Sequence, residues 1–600
     1  MNYRYICDKF NVKTMKENIT NIEYNGLQFK PSPYQEKIFD NILHGTSNMV
    51  VNAVAGSGKS TTIVNALKLI PEDKNVLFIA FNKDIVETLK NKIGEKPNVH
   101  ITTYHSLGYS ILIEKLRFKP ELEEYKYQSY IRNHCEVLCE NEAVLRVFSQ
   151  RVMYTRNLEK LVDYARYNLC QSEKEIEQIA HKYNIPIIDN ECLATVEILK
   201  WGKENLQTID YTDMVWIPYE LDYKTLKHKY NWIFVDEAQD SSPVQQELFK
   251  KCFKRGARFC AVGDSSQCIN AWAGADVEAF NKFLKMPNTK KFELPISYRC
   301  PVTVINAAKR FVPNIEAKDG AEFGEIKFDV DPYNPKPGDM VLCRNTYPLI
   351  KLYTEYLRIN KKSFIRGKDI GEDLIRTIKT YMGNETQLNK SLIDKGLFRS
   401  LYQEMFKRID LMVSKTNMSE EEAFLSAPVM EFFDTISSLE TLSDNLKTVN
   451  ELIDKIKIIF NDVGEGVCLS TIHKAKGLEA DNVFILAKSL MPSIYARQEW
   501  EVISEENLEY VAITRAKKTL QYIDEDKFKI ERSQQYEKKL IEKFYTIKRL
   551  LGAKTIERKT NAVIKKTKTG ETKTFVANNT KNDKGKKAVG ALKFGSFLRK

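Results

Sequence analysis

The stretch at residues 53–60, Ala-Val-Ala-Gly-Ser-Gly-Lys-Ser, constrains this chain more than any other. It follows the apolar run Met49-Val50-Val51 and precedes a stretch of helical periodicity, so a buried strand, a tight loop and a helix are predicted in succession. Gly56 and Gly58 let the backbone wrap phosphate oxygens without a Cβ clash, and the amides at the start of the helix then face the anion. The sequence therefore predicts a phosphate-binding loop at the edge of a sheet.

The side chains of this loop supply the charge and the metal ligand that a nucleoside triphosphate needs. Lys59 can neutralise the β- and γ-phosphates, and the Ser60 hydroxyl can ligate Mg²⁺. We therefore expect ATP and Mg²⁺ to bind at the loop. The loop residues expected to contact the nucleotide are Ala55, Gly56, Ser57, Gly58, Lys59, Ser60 and Thr61.

Two adjacent carboxylates follow another apolar run. Ile233-Phe234-Val235 has the character of a strand buried on both faces, and Asp236 and Glu237 come directly after it. Asp236 can hold Mg²⁺ through water, and Glu237 can orient and deprotonate an attacking water molecule. The alternative is a solvated turn, but the apolar run before the acids and the phosphate loop upstream favour a catalytic pair.

Short apolar runs of this kind fall into two groups. The first group includes 76–80 and 259–262, and the second includes 340–343, 467–469 and 483–486. Each group predicts one parallel sheet covered by helices, so we expect an α/β protein with two such domains. Charged stretches of helical character interrupt both groups. The predicted limits are 1–107 and 206–292 for the first domain, 108–205 for its helical insertion, 293–367 and 466–553 for the second domain, 368–465 for its insertion, and 554–600 for a tail.

Positive charge is concentrated at the end of the chain. The net charge is +12, and most of it falls in residues 554–600. This segment is poor in apolar periodicity, so it is expected to be disordered and to contact a polyanion through phosphates. A tail that only aids solubility is the alternative. Residues 591–600 regain aromatic side chains, which suggests a peptide that docks on another protein.

The rest of the composition is typical of a globular protein. Hydrophobic residues make up 43% and charged residues 29% of the chain. No apolar run approaches the roughly 20 residues that span a bilayer, and the N-terminus lacks the apolar core of a signal peptide. We therefore expect no membrane association and a cytoplasmic location, in a bacterium or in the cytosol of a phage-infected host.

Seven further segments occur in an order that is specific when taken together. They are Pro31-Ser32-Pro33-Tyr34-Gln35, Ala80-Phe81-Asn82-Lys83, Thr103-Tyr104-His105-Ser106, Val262-Gly263-Asp264-Ser265-Ser266-Gln267, Ser297-Tyr298-Arg299, Thr471-Ile472-His473-Lys474-Ala475-Lys476-Gly477-Leu478-Glu479 and Tyr510-Val511-Ala512-Ile513-Thr514-Arg515-Ala516. With the loop and the acid pair, they resemble the motifs of superfamily 1A DNA helicases of the UvrD/Rep/PcrA type. The resemblance covers roughly residues 31 to 522. The residues at 80–85 and 236–240 are most similar to those of the phage-encoded and F-box-helicase branches.

This resemblance implies two RecA-like domains that form an ATP cleft, and it implies roles for single residues. Gln267, Arg299 and Arg515 would act on the γ-phosphate beside Lys59 and Glu237. Gln35 and Tyr298 would contact the adenine, and Glu479 would contact the ribose. The residues that would contact nucleic acid are Asn82, Thr103, His105, Trp272, Thr471 and His473.

The chain departs from the family pattern after Gln267. The family has a tyrosine where this chain has Asn270 and an arginine where it has Ala273. The loss of an aromatic ring and a cation predicts a weaker strand track or weaker coupling across the cleft. The second insertion, 368–465, is also short for the family, which implies a smaller regulatory domain.

The resemblance implies an ATP-hydrolysing DNA helicase that moves 3′-to-5′ on single-stranded DNA at a junction with duplex. Two alternatives stay open. One is an ATP-driven translocase or regulatory subunit that remodels protein–DNA complexes without processive unwinding, and the other is a motor on RNA or of 5′-to-3′ polarity. We expect a monomer or weak dimer, with a replication or repair protein as a partner of the tail.

Overall fold

The computed structural model describes most of the chain. The described residues are 30–94, 96–146, 148–225, 227–270, 274–276, 278–382, 396–415, 418–493, 496, 498–528 and 533–551. Trp272, Ala273 and the predicted basic tail at 554–600 lie outside them. Among the helices of the described residues, none has the length and apolar character needed to cross a bilayer.

Two sheets dominate the architecture. In chain order the strands are β1 (Asn48–Ala53), β2 (Val76–Ala80), β3 (Val99–Thr103), β4 (Glu121–Leu122), β5 (Thr208–Ile209), β6 (Tyr230–Val235), β7 (Phe253–Gly263), β8 (Thr289–Leu294), β9 (Ile296–Ser297), β10 (Glu316–Ala317), β11 (Glu325–Val330), β12 (Met340–Cys343), β13 (Ser363–Arg366), β14 (Val467–Thr471), β15 (Ala480–Ile485) and β16 (Ala516–Ile523).

Each large sheet has six parallel strands, which confirms the predicted α/β class. The first sheet has the order β3-β2-β6-β7-β1-β8. The second has the order β11-β16-β15-β12-β14-β13. Two short strand pairs, β4 with β5 and β9 with β10, complete the set. Because all strands of a sheet run the same way, the loops after them meet at one edge, where ligands of such sheets bind.

Helices cover both sheets and build the two insertions. They are α1 (Pro33–Leu43), α2 (Lys59–Lys68), α3 (Lys83–Ile93), α4 (Tyr104–Leu116), α5 (Lys126–Leu138), α6 (Glu142–Arg146), α7 (Phe148–Asn168), α8 (Glu173–Lys182), α9 (Glu191–Glu204), α10 (Tyr211–Glu220), α11 (Pro243–Lys250), α12 (Ala279–Leu284), α13 (Val302–Ala308), α14 (Thr346–Arg358), α15 (Lys368–Met382), α16 (Phe398–Lys415), α17 (Glu420–Phe424), α18 (Ala427–Leu442), α19 (Val449–Ile459), α20 (Glu499–Ile513) and α21 (Ser533–Leu550). The domain limits stay predictions, and α4 continues across the one drawn at residue 108.

Helix α20 belongs to the second domain but touches the first insertion at its amino end. Trp500 Nε1 donates to the Lys182 carbonyl at 3.1 Å, and its ring lies 5.5 Å from the ring of Tyr183. Beside it, Gln498 Nε2 donates to Asn184 Oδ1 at 3.0 Å. The two halves of the molecule therefore meet outside the cleft between the sheets as well.

A buried ionic cluster fixes the base of the first insertion. The Arg166 guanidinium is fully buried and donates to Asp210 at 2.8 Å and to Asp213 at 3.0 Å. Lys126 Nζ also donates to Asp213, at 2.8 Å. The Arg166 guanidinium lies 3.9 Å from the centre of the Tyr127 ring. Charges this deeply buried are tolerated only because each one has a partner.

We predict that Arg166→Ala destabilises the first insertion by about 3–5 kcal/mol, because it leaves the buried carboxylate of Asp210 without its cation and removes one of the two cations beside Asp213. Urea unfolding measures this loss of stability. It is followed by the fluorescence of Trp201, in α9, and of Trp216, in α10. The control is Arg132→Ala, since Arg132 is 65% exposed and lies 3.9 Å from its partner. Its removal is expected to cost less than about 1 kcal/mol. Equal destabilisation by the two variants would contradict the prediction.

Candidate functional site

The phosphate loop lies between β1 and α2, as predicted. Gly56 and Gly58 have φ angles of 72° and 76°, in the left-handed region that favours glycine. A Cβ on Gly56 would lie 2.5 Å from Arg299 Cβ, so the second domain leaves no room for a side chain there. Ser57 Oγ is buried and has no hydrogen-bond partner among the described residues. A loop of this shape can wrap an anion, and it offers the anion a hydroxyl without a partner among the described residues.

The predicted carboxylates lie beside the loop lysine. Lys59 Nζ donates to Glu237 Oε1 at 2.8 Å, and Gln239 Nε2 donates to Glu237 Oε2 at 2.6 Å. Burial raises the pKa of Glu237, but the nearby Lys59 and Lys476 outweigh it and hold that pKa at about 2. Burial, followed by the charge of Glu237, raises the pKa of Asp236 to about 7. Of the two neighbouring acids, one is a permanent anion and the other titrates near neutrality.

These residues fit ATP with Mg²⁺. The loop provides a concave backbone, an unpartnered hydroxyl and an ammonium group for phosphates. Asp236 has a carboxylate that gains from a nearby cation, because burial alone disfavours its charge. Ser60 is exposed at the second position of α2, where its hydroxyl can ligate a metal ion. Thr61 follows it and is also exposed.

Residues of the second domain bond directly to the backbone of the loop. Ser297 Oγ donates to the Ala55 carbonyl at 2.8 Å, and the Tyr298 amide donates to the Gly56 carbonyl at 2.8 Å. The Ala55 amide donates to Tyr510 Oη at 3.0 Å, and that hydroxyl donates to Asp264 Oδ2 at 3.2 Å. The cleft between the sheets is therefore closed onto the loop. Ser297 and Tyr510 occur in the segments that carry the resemblance, but nothing in the sequence assigned them this contact.

Both predicted arginines lie at the cleft. Arg299 Nε forms an ion pair with Glu479 at 2.7 Å. Arg515 is 1% exposed, and it donates to Gln267 Oε1 at 3.3 Å and to the Leu478 carbonyl at 3.1 Å. Burial lowers the pKa of Arg515 to about 10, and the neighbouring charge of Arg299 adds to the effect. Two cations held this close, one of them without a carboxylate contact among the described residues, make a site that favours an anion.

Gln267 connects the two sides of the cleft. Its amide nitrogen donates to Asp264 at 2.7 Å, and its amide oxygen accepts from Arg515. Because Asp264 also accepts from Tyr510, one short network joins the end of β7 to the last helix before β16.

The residues expected to contact the base and the ribose differ in accessibility. Gln35 is 4% exposed, bonds to the Ser32 amide and donates to Thr62 Oγ1 at 2.8 Å. Tyr298 is 47% exposed and lies within van der Waals distance of a Cβ built on Gly58. The ring of Tyr298 is thus free to stack on a base, whereas both ends of the Gln35 amide already have partners.

The residues of the first domain that are expected to contact nucleic acid lie at the starts of the helices that follow β2 and β3. Asn82 Oδ1 accepts from the Ile85 amide at 2.9 Å, and Thr103 Oγ1 accepts from the Ser106 amide at 3.2 Å. His105 lies edge-on to the Tyr211 ring, with centres 6.5 Å apart, and burial lowers its pKa. Phe81 is 51% exposed beside them. All lie at the edge of the first sheet that carries the phosphate loop.

The residues of the second domain that are expected to contact nucleic acid lie at the end of β14 and just after it. Thr471 Oγ1 accepts from the Lys474 amide at 3.4 Å. Burial lowers the pKa of His473 to about 3, and the charges of Arg344, Lys474 and Lys476 add to this effect. His473 is therefore neutral at physiological pH. Trp272, the remaining residue predicted to contact nucleic acid, lies outside the described residues.

Lys476 is a contact between the domains that the sequence did not single out. Its ammonium group donates to Asp240 and, at 2.7 Å, to the Gln267 carbonyl. Asp240 also accepts from Asn270 Nδ2 at 3.4 Å. Asn270, which stands where the family has an aromatic residue, thus bonds to the carboxylate that Lys476 reaches. The sequence showed that Asn270 is polar, but it did not predict that Asn270 bonds to Asp240.

We predict that Lys476→Met opens the cleft, because it leaves the buried carboxylate of Asp240 without its cation at a cost of about 3–5 kcal/mol. Hydrogen exchange measures the opening: the Ala55 amide, bonded to Tyr510 across the cleft, is expected to exchange faster by about 100-fold or more. Lys474→Met is the control, because Lys474 pairs with Asp369 of the second insertion and not with a residue of the first domain. Unchanged exchange at Ala55 in Lys476→Met would show that this pair does not hold the cleft.

Comparison with protein families agrees with this geometry. Residues 34–288 match the model of the UvrD/REP helicase N-terminal domain, and residues 466–521 match the model of the UvrD-like helicase C-terminal domain. The first match spans the strands of the first sheet up to β7. The second spans β14, β15 and most of β16.

Two proteins of similar sequence are named as DNA helicases. The chain is 24% identical to the ATP-dependent DNA helicase PcrA of Staphylococcus aureus, over 79% of this chain and 80% of that protein. It is 25% identical to F-box DNA helicase protein 1 of Schizosaccharomyces pombe, over 81% of this chain and 56% of that protein. With both family models matched in order on the two sheets that form the cleft, the chain belongs to the UvrD-like DNA helicases of superfamily 1A.

Proposed function

We propose that this protein hydrolyses ATP with Mg²⁺ and uses the energy to move 3′-to-5′ along single-stranded DNA and to unwind duplex. One observation supports this proposal most strongly. Arg299 of the second domain lies against Gly56 of the phosphate loop, and Arg515 of the second domain bonds to Gln267 of the first domain, so the loss of a phosphate at the loop would change contacts made by both domains. The family relationship supports ATP-dependent helicase activity, and direction and unwinding are our proposals.

The residues of the first domain would hold the nucleotide and prepare the water. Lys59 now neutralises Glu237, and the triphosphate is a stronger competitor for that ammonium group. Once Lys59 turns to the phosphates, Glu237 has a free oxygen, and its neighbour Gln239 keeps it oriented. A carboxylate oriented in this way can accept a proton from an attacking water molecule. Mg²⁺, held by Ser60 and through water by Asp236, would supply neutralisation of phosphate charge.

The residues of the second domain would stabilise charge as it develops. Arginines contributed across such a cleft are worth about 10³–10⁵ in rate in other enzymes that cleave nucleoside triphosphates. Arg515 is preorganised for this role, because the Val511 and Leu478 carbonyls and Gln267 fix its guanidinium. Loss of the γ-phosphate removes the anion that attracts both arginines, which favours opening. Closing and opening, with alternate grip on the strand, would produce steps along DNA.

We predict that Lys59→Ala lowers ATP hydrolysis by about 10²–10³-fold or more, because the phosphates lose their cation. Unwinding stops with it, whereas binding of single-stranded DNA stays close to wild type, since Lys59 lies in the nucleotide cleft. The control is Lys68→Ala at the exposed end of the same helix, α2. Unwinding at the wild-type rate by Lys59→Ala would overturn the proposed mechanism.

Unwinding assays on three duplexes test the direction and the substrate. We expect strand separation on a 3′-tailed DNA duplex and little on 5′-tailed or RNA-tailed duplexes. Separation only from a 5′ tail would refute the proposed polarity. Movement along single strands without separation of any duplex would instead favour a translocase that remodels protein–DNA complexes.

Binding of Mg²⁺ with ATP is predicted to release a proton from Asp236. This carboxyl has a pKa of about 7, so it is mostly protonated at about pH 6 and mostly ionised at about pH 8. Since a metal ion needs the ionised form, uptake releases about one proton more at the lower pH. Calorimetry in buffers of different ionisation enthalpy measures the release. Asp236→Asn should abolish the pH-dependent part, and an identical release from this variant would contradict the assignment.

A further inference from the structure

A groove of about 700 Å³ lies on the second domain, between strands β11 and β16 and helices α13 and α20. None of the residues assigned above to ATP or to nucleic acid lines it. Strand β11 is at the edge of its sheet, and no described strand pairs with its outer side. An edge strand that presents apolar side chains is a surface that proteins usually cover.

The groove has an apolar floor and one exposed aromatic ring. Ile326 and Phe328 are two residues apart on β11, so their side chains point to the same face of the sheet. The ring of Phe328 stacks on that of Tyr522 in β16, with centres 5.0 Å apart and planes 4° from parallel. Phe328 is nevertheless 68% exposed, whereas Ile513 at the floor is buried. A ring that is held in place and still exposed offers a contact to another apolar side chain.

The rim of the groove has two carboxylates without a counter-ion. Glu509 is already neutralised, because it forms ion pairs with Arg310 and, at 3.0 Å, with Lys488. Glu525 accepts from one backbone amide at 2.8 Å, and Asp329 is exposed. No cation of the described residues forms an ion pair with either of them. The rim therefore favours an occupant that carries positive charge.

Residues 591–600 of the same chain have this combination of apolar and cationic side chains. Their sequence is Ala-Leu-Lys-Phe-Gly-Ser-Phe-Leu-Arg-Lys, which has two phenylalanines, two leucines, three cations and no acidic residue. The preceding stretch, 554–590, is also basic, but Phe575 is its single aromatic residue. The apolar character needed to fill the groove is thus confined to 591–600.

The chain is long enough for this segment to reach the groove. Ile523 lines the groove, and α21 ends at Leu550. Since α21 is about 27 Å long and residues 524–532 span at most about 35 Å, the tail starts within about 60 Å of the groove. The residues between 551 and 591 can span about twice that distance. A tether gives an effective concentration of about 1 mM, so a segment with a Kd of about 100 µM occupies the groove about nine-tenths of the time.

We propose that residues 591–600 dock in this groove of their own chain. Their phenylalanine rings pack against Phe328 and Tyr522, and their cations lie beside Asp329 and Glu525. The sequence alone suggested that the segment docks on another protein, whereas the groove provides a site on the same molecule. Docking covers the outer edge of β11 and attaches the basic stretch 554–590 to the second domain at both of its ends.

Photo-crosslinking in the full chain tests this proposal. We expect p-benzoylphenylalanine in place of Phe597 to form links to groove residues on irradiation, which mass spectrometry of the digested protein locates. The same analogue in place of Phe575 is the matched probe, because it lies in the same tail but outside the segment. It is expected to give no concentration of links in the groove. An equal amount of isotope-labelled chain without the probe distinguishes links within one molecule from links between two.

Variants of the groove and of the segment test the contact from both sides. Loss of a buried ring weakens binding by about 10- to 100-fold, so Phe328→Lys is expected to lower the yield of links about two- to ninefold. Phe118→Lys is the matched control, because Phe118 is also exposed and lies in the first half of the chain; it should keep the wild-type yield. Phe594→Ser/Leu598→Ser leaves the groove intact and should lower the yield as Phe328→Lys does.

The results separate the proposal from its alternatives. Links from position 597 to the groove of the same chain, lost in Phe328→Lys and kept in Phe118→Lys, support it. Links to the labelled chain alone would show that the groove binds a second copy, which contradicts docking within one molecule. Links scattered over the surface, or equal yields from the two lysine variants, would refute the groove as the site. Because the measurement needs neither ATP nor DNA, its outcome is independent of the proposed motor activity.

Discussion

The hydrogen bonds between the second domain and the backbone of the phosphate loop are the contacts on which the site depends. Ser297 and Tyr298 hold the loop carbonyls from one side, and Tyr510 accepts from the Ala55 amide. Neither sheet alone therefore contains a complete nucleotide site. Changes in the loop alter contacts with the other domain as directly as they alter contacts with phosphate. Gly56 is the tightest point, because any side chain there would meet Arg299.

The central part of the fold could be predicted from the sequence, and its edges could not. Strands such as β2 and β6 lie inside their sheets and read as apolar runs. The edge strands β8 and β11 are half exposed, so their sequences mix lysine, glutamate and apolar residues and lack a readable pattern. Their pairing depends on neighbours distant in sequence. The same reason explains Lys476: its motif was recognised, but its partner Asp240 is set by the closure of two domains.

Asp236 and Glu237 show how far environment decides the chemistry of identical groups. The two carboxyls are adjacent in sequence; Asp236 is buried and Glu237 is mostly buried. Lys59 touches only Glu237, so the pKa of Glu237 is held at about 2 while that of Asp236 rises to about 7. The sequence could place two acids at the end of a strand. Which of them is always charged follows from the positions of two ammonium groups, first that of Lys59 and then that of Lys476.

Helix α20 has a mechanical consequence. Near its carboxyl end Tyr510 bonds to the phosphate loop, and near its amino end Trp500 bonds to the Lys182 carbonyl of the first insertion. The two contacts are ten residues apart, about 15 Å along a stiff rod. Between them, Asn507 of the same helix donates to the Cys268 carbonyl at 2.9 Å. A rod attached along its length cannot tilt about one end until the contacts toward its other end have broken, so the contacts of α20 must break in sequence along the helix when it turns.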